Sequence, residues 1–90
     1  MDRSGIVVAG SDGPAAGAAW ALKAAGARLV VLDTDIDRGH RLVLALNTGN
    51  GGIAVFLPGD PSSPADLAEA VAECRTCWGR CDLVVQAPAV

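Results

Sequence analysis

Ile6-Val7-Val8-Ala9-Gly10-Ser11-Asp12-Gly13-Pro14-Ala15 carries the strongest fold signal in the chain. Ile6 to Ala9 is short, β-branched and apolar on both sides, the pattern of a strand buried within a parallel sheet. Gly10 to Ala15 is a glycine-rich turn, and Pro14 suits the first turn of a helix, where its missing N–H costs nothing. An Ala-rich segment follows and Gly26 closes it as a C′ residue. A second apolar run, Leu29-Val30-Val31-Leu32, then ends in Asp33, twenty residues past Gly13. Strand, glycine turn, helix, and a strand with a terminal acid make the sequence form of a dinucleotide-binding βαβ unit. The glycines let backbone approach a pyrophosphate, the helix N-terminus offers free N–H groups, and the acid can hold the adenosine ribose hydroxyls.

A length of 90 residues predicts a single small domain spanning 1–90. With 51% hydrophobic and 19% charged residues the chain is not compositionally disordered. A net charge of −3 gives no attraction toward nucleic acid or an anionic membrane, and no nucleic-acid or membrane partner is expected. No apolar run approaches the roughly 20 residues needed to span a bilayer. Three cysteines, an odd number without an export signal, point to a reducing cytoplasm. The chain contains no tyrosine, so no phenolic acid or base is available from these residues.

The first strand reads as Gly5 to Ala9 and the first helix as Ala15 to Ala25, with Lys23 as its main polar break. The second strand runs from Arg28 to Leu32, and Asp33-Thr34-Asp35-Ile36-Asp37 reads as an acidic loop. A second helix is expected over Arg38 to Leu46, ending at the turn-rich Asn47-Thr48-Gly49-Asn50-Gly51-Gly52. The third strand is Ile53 to Leu57. Ser63 is the predicted N-cap of the third helix, with Pro64 at N1 and Asp66 completing a capping-box pattern. Gly79 ends that helix, and Asp82 to Ala87 forms the fourth strand. Strands alternating with helices of this length predict a parallel α/β sheet of order 3-2-1-4.

At these positions the chain resembles the N-terminal half of the short-chain dehydrogenases/reductases. The resemblance rests on Ile6-Val7-Val8-Ala9-Gly10, on Ala25-Gly26-Ala27-Arg28-Leu29-Val30-Val31-Leu32-Asp33, and on Gly59-Asp60 after the third strand. It extends through Leu67-Ala68-Glu69-Ala70-Val71 and Trp78-Gly79-Arg80-Cys81-Asp82-Leu83-Val84-Val85. It implies a Rossmann-type half-domain of α/β class, with four parallel strands and three helices, that binds NAD. Gly10, Ser11, Gly13 and Ala15 would cradle the pyrophosphate, Asp33 the ribose and Asp60 the adenine. Ala87, Pro88 and Ala89 would form the nicotinamide-side wall. Asp33 favours NAD over NADP, because a carboxylate accepts both ribose hydroxyls and repels a 2′-phosphate. No Arg directly follows the second strand, although Arg38 could reach in.

The departures from the family pattern are specific. The turn is one residue shorter than Gly-x-x-x-Gly-x-Gly, with Ala15 at the third glycine position. Pro61 stands where the family supplies a backbone N–H to the adenine, and proline has none. Gln86-Ala87-Pro88-Ala89 replaces Asn-Asn-Ala-Gly. The catalytic Ser and Tyr-x-x-x-Lys have no counterpart among these residues, so no residue is expected to be catalytic.

Cys74, Cys77 and Cys81 spell Cys-x-x-Cys-x-x-x-Cys. Zinc would need a fourth ligand, His40 lies on another helix, and a redox motif belongs at a helix N-terminus, so all three read as buried small hydrophobes and no metal site is expected. Trp20 and Trp78 read as packing residues. Two functions follow. One is the NAD-binding N-terminal part of a short-chain oxidoreductase, catalytically incomplete on its own, a truncated piece whose missing half would hold the active site being a separate possibility. The other is a non-catalytic α/β protein that has lost the cofactor or acts as an interaction module. In either, Leu83-Val84-Val85 would leave an apolar sheet edge open to self-association or to a partner.

Overall fold

Seven elements alternate along the chain: β1 (Gly5–Ala9), α1 (Gly13–Ala24), β2 (Arg28–Asp33), α2 (Ile36–Leu46), β3 (Ala54–Pro58), α3 (Pro64–Trp78) and β4 (Leu83–Gln86). They come from a computed structural model that describes residues 4–49, 51 and 53–86. The four strands form one parallel sheet in the order β3-β2-β1-β4, the expected α/β, Rossmann-like half fold.

Alternation along the strands divides the core in two. Ile6 and Val8 of β1 and Leu29 and Val31 of β2 face α1 and α2, where they meet Ala15, Ala19, Leu42 and Leu46. Val7, Val30 and Leu32 point the other way, onto Ala70 and Cys74 of α3. Both faces of β1 and β2 are thereby covered, which is why these strands are apolar without interruption. Small residues on α1 let it lie close to the sheet.

The boundaries of α2 correct the sequence expectation. The helix begins at Ile36, two residues before Arg38, because Asp35 acts as N-cap: its Oδ1 accepts the Arg38 N–H at 3.0 Å. What read as an acidic loop is a cap and a first helical turn, with Asp37 suitably placed against the helix dipole. The N-cap of α3 is Ser63, as expected, and its hydroxyl accepts the Asp66 N–H at 3.3 Å. The reciprocal half of the capping box is absent: Asp66 Oδ2 accepts instead the N–H of Asp60, at 2.7 Å. The box therefore becomes a tie between α3 and the loop that leaves β3. Gly79 ends α3 in the left-handed conformation, with φ of 76°.

Two further expectations change. Trp20 is exposed on α1, because the neighbouring Ala19 supplies the contact with the sheet, while Trp78 packs on the α3 side as anticipated. Of the cysteines, Cys74 is buried and Cys81 half-buried, but Cys77 is exposed on the outer side of α3. Lys23 is buried, and its Nζ donates to the Thr48 carbonyl at 3.3 Å. Among the described residues no helix is long and apolar enough to cross a membrane.

Candidate dinucleotide site

Parallel strands deliver their following loops to one edge of the sheet, so Gly10, Asp33 and Gly59 are brought together by topology alone. The Gly10 N–H extends the ladder by donating to Leu32 O at 2.7 Å, and the Gly59 N–H donates to Asp33 O at 3.1 Å. The turn between β1 and α1 is thus anchored beside the end of β2.

Gly10 has φ of 119°, and a Cβ there would lie 3.0 Å from the Cβ of Ala15. The turn passes directly against the first turn of α1, and Ala15 is the buried wall it meets. Alanine at this position therefore preserves the close helix–strand approach. Gly13 also has positive φ, 51°, but a side chain there would project into open space. Its requirement is backbone conformation. Asp12 is the N-cap of α1 without a side-chain capping bond. Among the described residues, the N–H groups of Ser11, Asp12 and Gly13 have no backbone acceptor. The shortened turn therefore still presents uncommitted donors at a helix start, the arrangement that accommodates an anion.

Asp33, the last residue of β2, is 4% exposed. Its Oδ2 accepts the Ser11 hydroxyl at 2.6 Å and Arg38 Nη2 at 3.1 Å, and its Oδ1 accepts the Asp35 N–H at 3.0 Å. Burial alone would raise the Asp33 pKa, but the three donors outweigh it and hold the carboxyl below its ordinary value. Asp33 is therefore an anion bound by its own chain. Arg38 also donates through Nε to Ser11 Oγ at 3.0 Å. Its Nη1 lies 3.5 Å from carboxylate oxygens of both Asp12 and Asp35.

The remaining site residues are placed unevenly. Asp60 follows β3 and is exposed, its Oδ1 accepting both the N–H and the hydroxyl of Ser62 at 2.8 and 2.7 Å. These bonds, the hydroxyl first, hold its pKa below the ordinary value. Pro61 offers no donor; its carbonyl accepts Gln86 Nε2 at 3.5 Å. Ala87, Pro88 and Ala89 lie outside the described residues. Sequence reasoning undervalued Arg38. The usable signal was Asp35 as a helix cap, which fixes Arg38 in the first turn beside Asp33. A cavity of about 500 Å³ lies elsewhere, between α2 and β3, lined by His40, Val43, Leu44, Ala54, Val55 and Phe56. It contains none of the site residues and is mainly apolar in lining.

Comparison with known families bears on the chain as a whole. A family model described as enoyl-(acyl carrier protein) reductase matches residues 8–90. A search of curated proteins gives no match. The matched span starts within β1 and takes in the glycine turn, Asp33, Asp60 and β4, and on that match the chain belongs to the short-chain dehydrogenase/reductase family.

Proposed function

We propose that this chain is the NAD-binding portion of a short-chain oxidoreductase. The observation that carries the reading is the juxtaposition of a glycine turn having uncommitted N–H donors with a buried carboxylate at the end of the adjacent strand. Ser11 and Gly13 would offer N–H groups to the pyrophosphate, with Gly10 and Ala15 shaping the cradle. Asp33 would receive the adenosine ribose and Asp60 would lie toward the adenine. When bound, a nicotinamide dinucleotide supplies hydride chemistry; the protein's part is to bind and orient it. Ala87, Pro88 and Ala89 are proposed for the nicotinamide side by family resemblance alone.

NAD is the preferred form on electrostatic grounds. Asp12, Asp33 and Asp35 set three carboxylates against the one guanidinium of Arg38. A 2′-phosphate would add negative charge to a cluster that is already net negative. Calorimetric titration with NADH and NADPH tests the reading. We expect NADH to bind with a dissociation constant on the order of 100 μM, about −5.5 kcal/mol, and NADPH to bind more weakly. Tighter binding of NADPH would overturn the role given to Asp33.

These 90 residues contain no tyrosine and no Tyr-x-x-x-Lys segment. The purified chain should therefore show no NADH-dependent reduction of ketones or enoyl thioesters, having no tyrosyl proton donor of its own. Turnover that copurifies with the chain and vanishes in Asp33→Ala would contradict this.

A further inference from the structure

Arg38 sits at a junction of three elements. Its backbone belongs to the first turn of α2, its Nε reaches Ser11 in the glycine turn, and its Nη2 reaches Asp33 at the end of β2. The carboxylate it holds has little left to offer. Two oxygens provide about four acceptor directions, and Ser11, Arg38 and Asp35 fill three of them within a buried setting. A ribose diol needs to donate two O–H groups to this carboxylate at once. As the chain stands, it cannot do so without displacing a donor.

The three donors differ in their freedom to leave. The Asp35 N–H is backbone, and Ser11 is only 4% exposed. The Arg38 side chain is 37% exposed and reaches Asp33 from the helix surface. It can swing into water by side-chain rotation, with no movement of α2. Arg38 is the member of the network that can open.

We propose that Arg38 is a specificity-determining latch on the ribose site: its guanidinium closes the Asp33 carboxylate, and a vicinal ribose diol opens it by taking over the acceptor position. The proposal rests on the dinucleotide reading above and adds the residue that governs entry. A free diol replaces one donor to Asp33 with two and leaves the released guanidinium hydrated. A 2′-phosphorylated ribose brings one hydroxyl fewer and faces Asp12, Asp33 and Asp35 with added negative charge. The latch therefore opens to NADH more readily than to NADPH. Only the diol displaces Arg38, so the latch lowers the affinity for NADH, part of whose binding free energy is spent on that release, and narrows its margin over NADPH.

The test is titration of the full chain and of Arg38→Met and Arg38→Lys with NADH and NADPH. Methionine keeps the aliphatic stem and removes every donor. Lysine keeps the charge but lacks the planar fork that reaches Ser11 and Asp33 together. Because Lys preserves the net charge, its effect cannot be assigned to altered attraction for the pyrophosphate. NADH should bind about fivefold more tightly to both variants, the scale of one part-exposed charged hydrogen bond, with no gain for NADPH. A cooperative thermal transition by circular dichroism establishes that each variant is folded. If NADH binds the parent chain and both variants equally or less tightly, Arg38 is no latch, while the dinucleotide reading stands. If NADH binds none of the three at millimolar concentration, the latch and the dinucleotide reading both fall.

Discussion

A carboxylate as buried as Asp33 persists as an anion because three donors replace the water it has lost. This makes it a pH-dependent contributor to stability. Its folded pKa lies below the ordinary value, so the contribution is complete above the unfolded pKa of about 3.9 and declines as pH falls through the folded value. Asp33→Ala leaves Ser11 and the Asp35 N–H without their acceptor, and should cost about 1–3 kcal/mol at pH 7 by urea denaturation. It should also flatten the acid limb of the stability profile, leaving the part due to Asp60 and Asp82, which are likewise held below their ordinary values by Ser62 and by Arg80. Cys74 behaves in the opposite sense. Burial first, and neighbouring Cys81 next, push its thiol up to about 12. The unfolded thiol ionises near 8.5, so the folded state loses ground above that pH as the unfolded state gains a thiolate. Brief alkylation at pH 8, read by peptide mass spectrometry, should label exposed Cys77 and spare Cys74; equal labelling of both would show that α3 opens readily. The position of Asp33 was legible because a strand end followed by acid is a local pattern. Its closure by Arg38 was not. Starting α2 at Arg38 rather than Ile36 misplaces that side chain by two helical positions, roughly 200° around the axis.

At the level of elements, close approach governs where small residues are required. Gly39 is buried in α2 with the ring of Phe56 lying directly against it, so an added methyl group would collide with the ring. Phe56 in turn meets His40 edge-on, with ring centroids 4.8 Å apart. Gly39→Ala should therefore destabilise by about 1–3 kcal/mol, despite the better helix propensity of alanine. Gly17 in α1 is the matched control, since a methyl group there would meet nothing. Gly17→Ala should stabilise by about 0.5–1 kcal/mol through propensity and unfolded-state entropy. Thermal denaturation of the pair separates the effects, and loss of stability in both would mean that α1 is held more tightly than its exposed face indicates. α3 was the element most legible in sequence, because Ser63, Pro64 and Gly79 each mark a boundary by local chemistry. The destination of Asp66 was not legible. Its choice of Asp60 over the Ser63 N–H depends on where the loop after β3 runs.

Across the whole molecule, the strand order followed from the alternation of strands and helices, and both faces of β1 and β2 are covered accordingly. β4 is different. Leu83 and Val84 are apolar yet exposed, and among the described residues no strand pairs with its outer edge. We expect the chain to self-associate through this edge, giving a sedimentation coefficient that rises with concentration, and Val84→Lys to suppress the rise. A concentration-independent monomer would show that the edge is protected. Amide chemical shifts during NADH titration show whether the carboxyl edge of this sheet is a dinucleotide site. Saturable shifts are expected at Gly10, Ser11, Gly13 and Asp33, with smaller ones at Asp60 and none along β3 facing α2. Saturable shifts confined to His40, Val43 and Phe56, or no shifts at millimolar NADH, would contradict it.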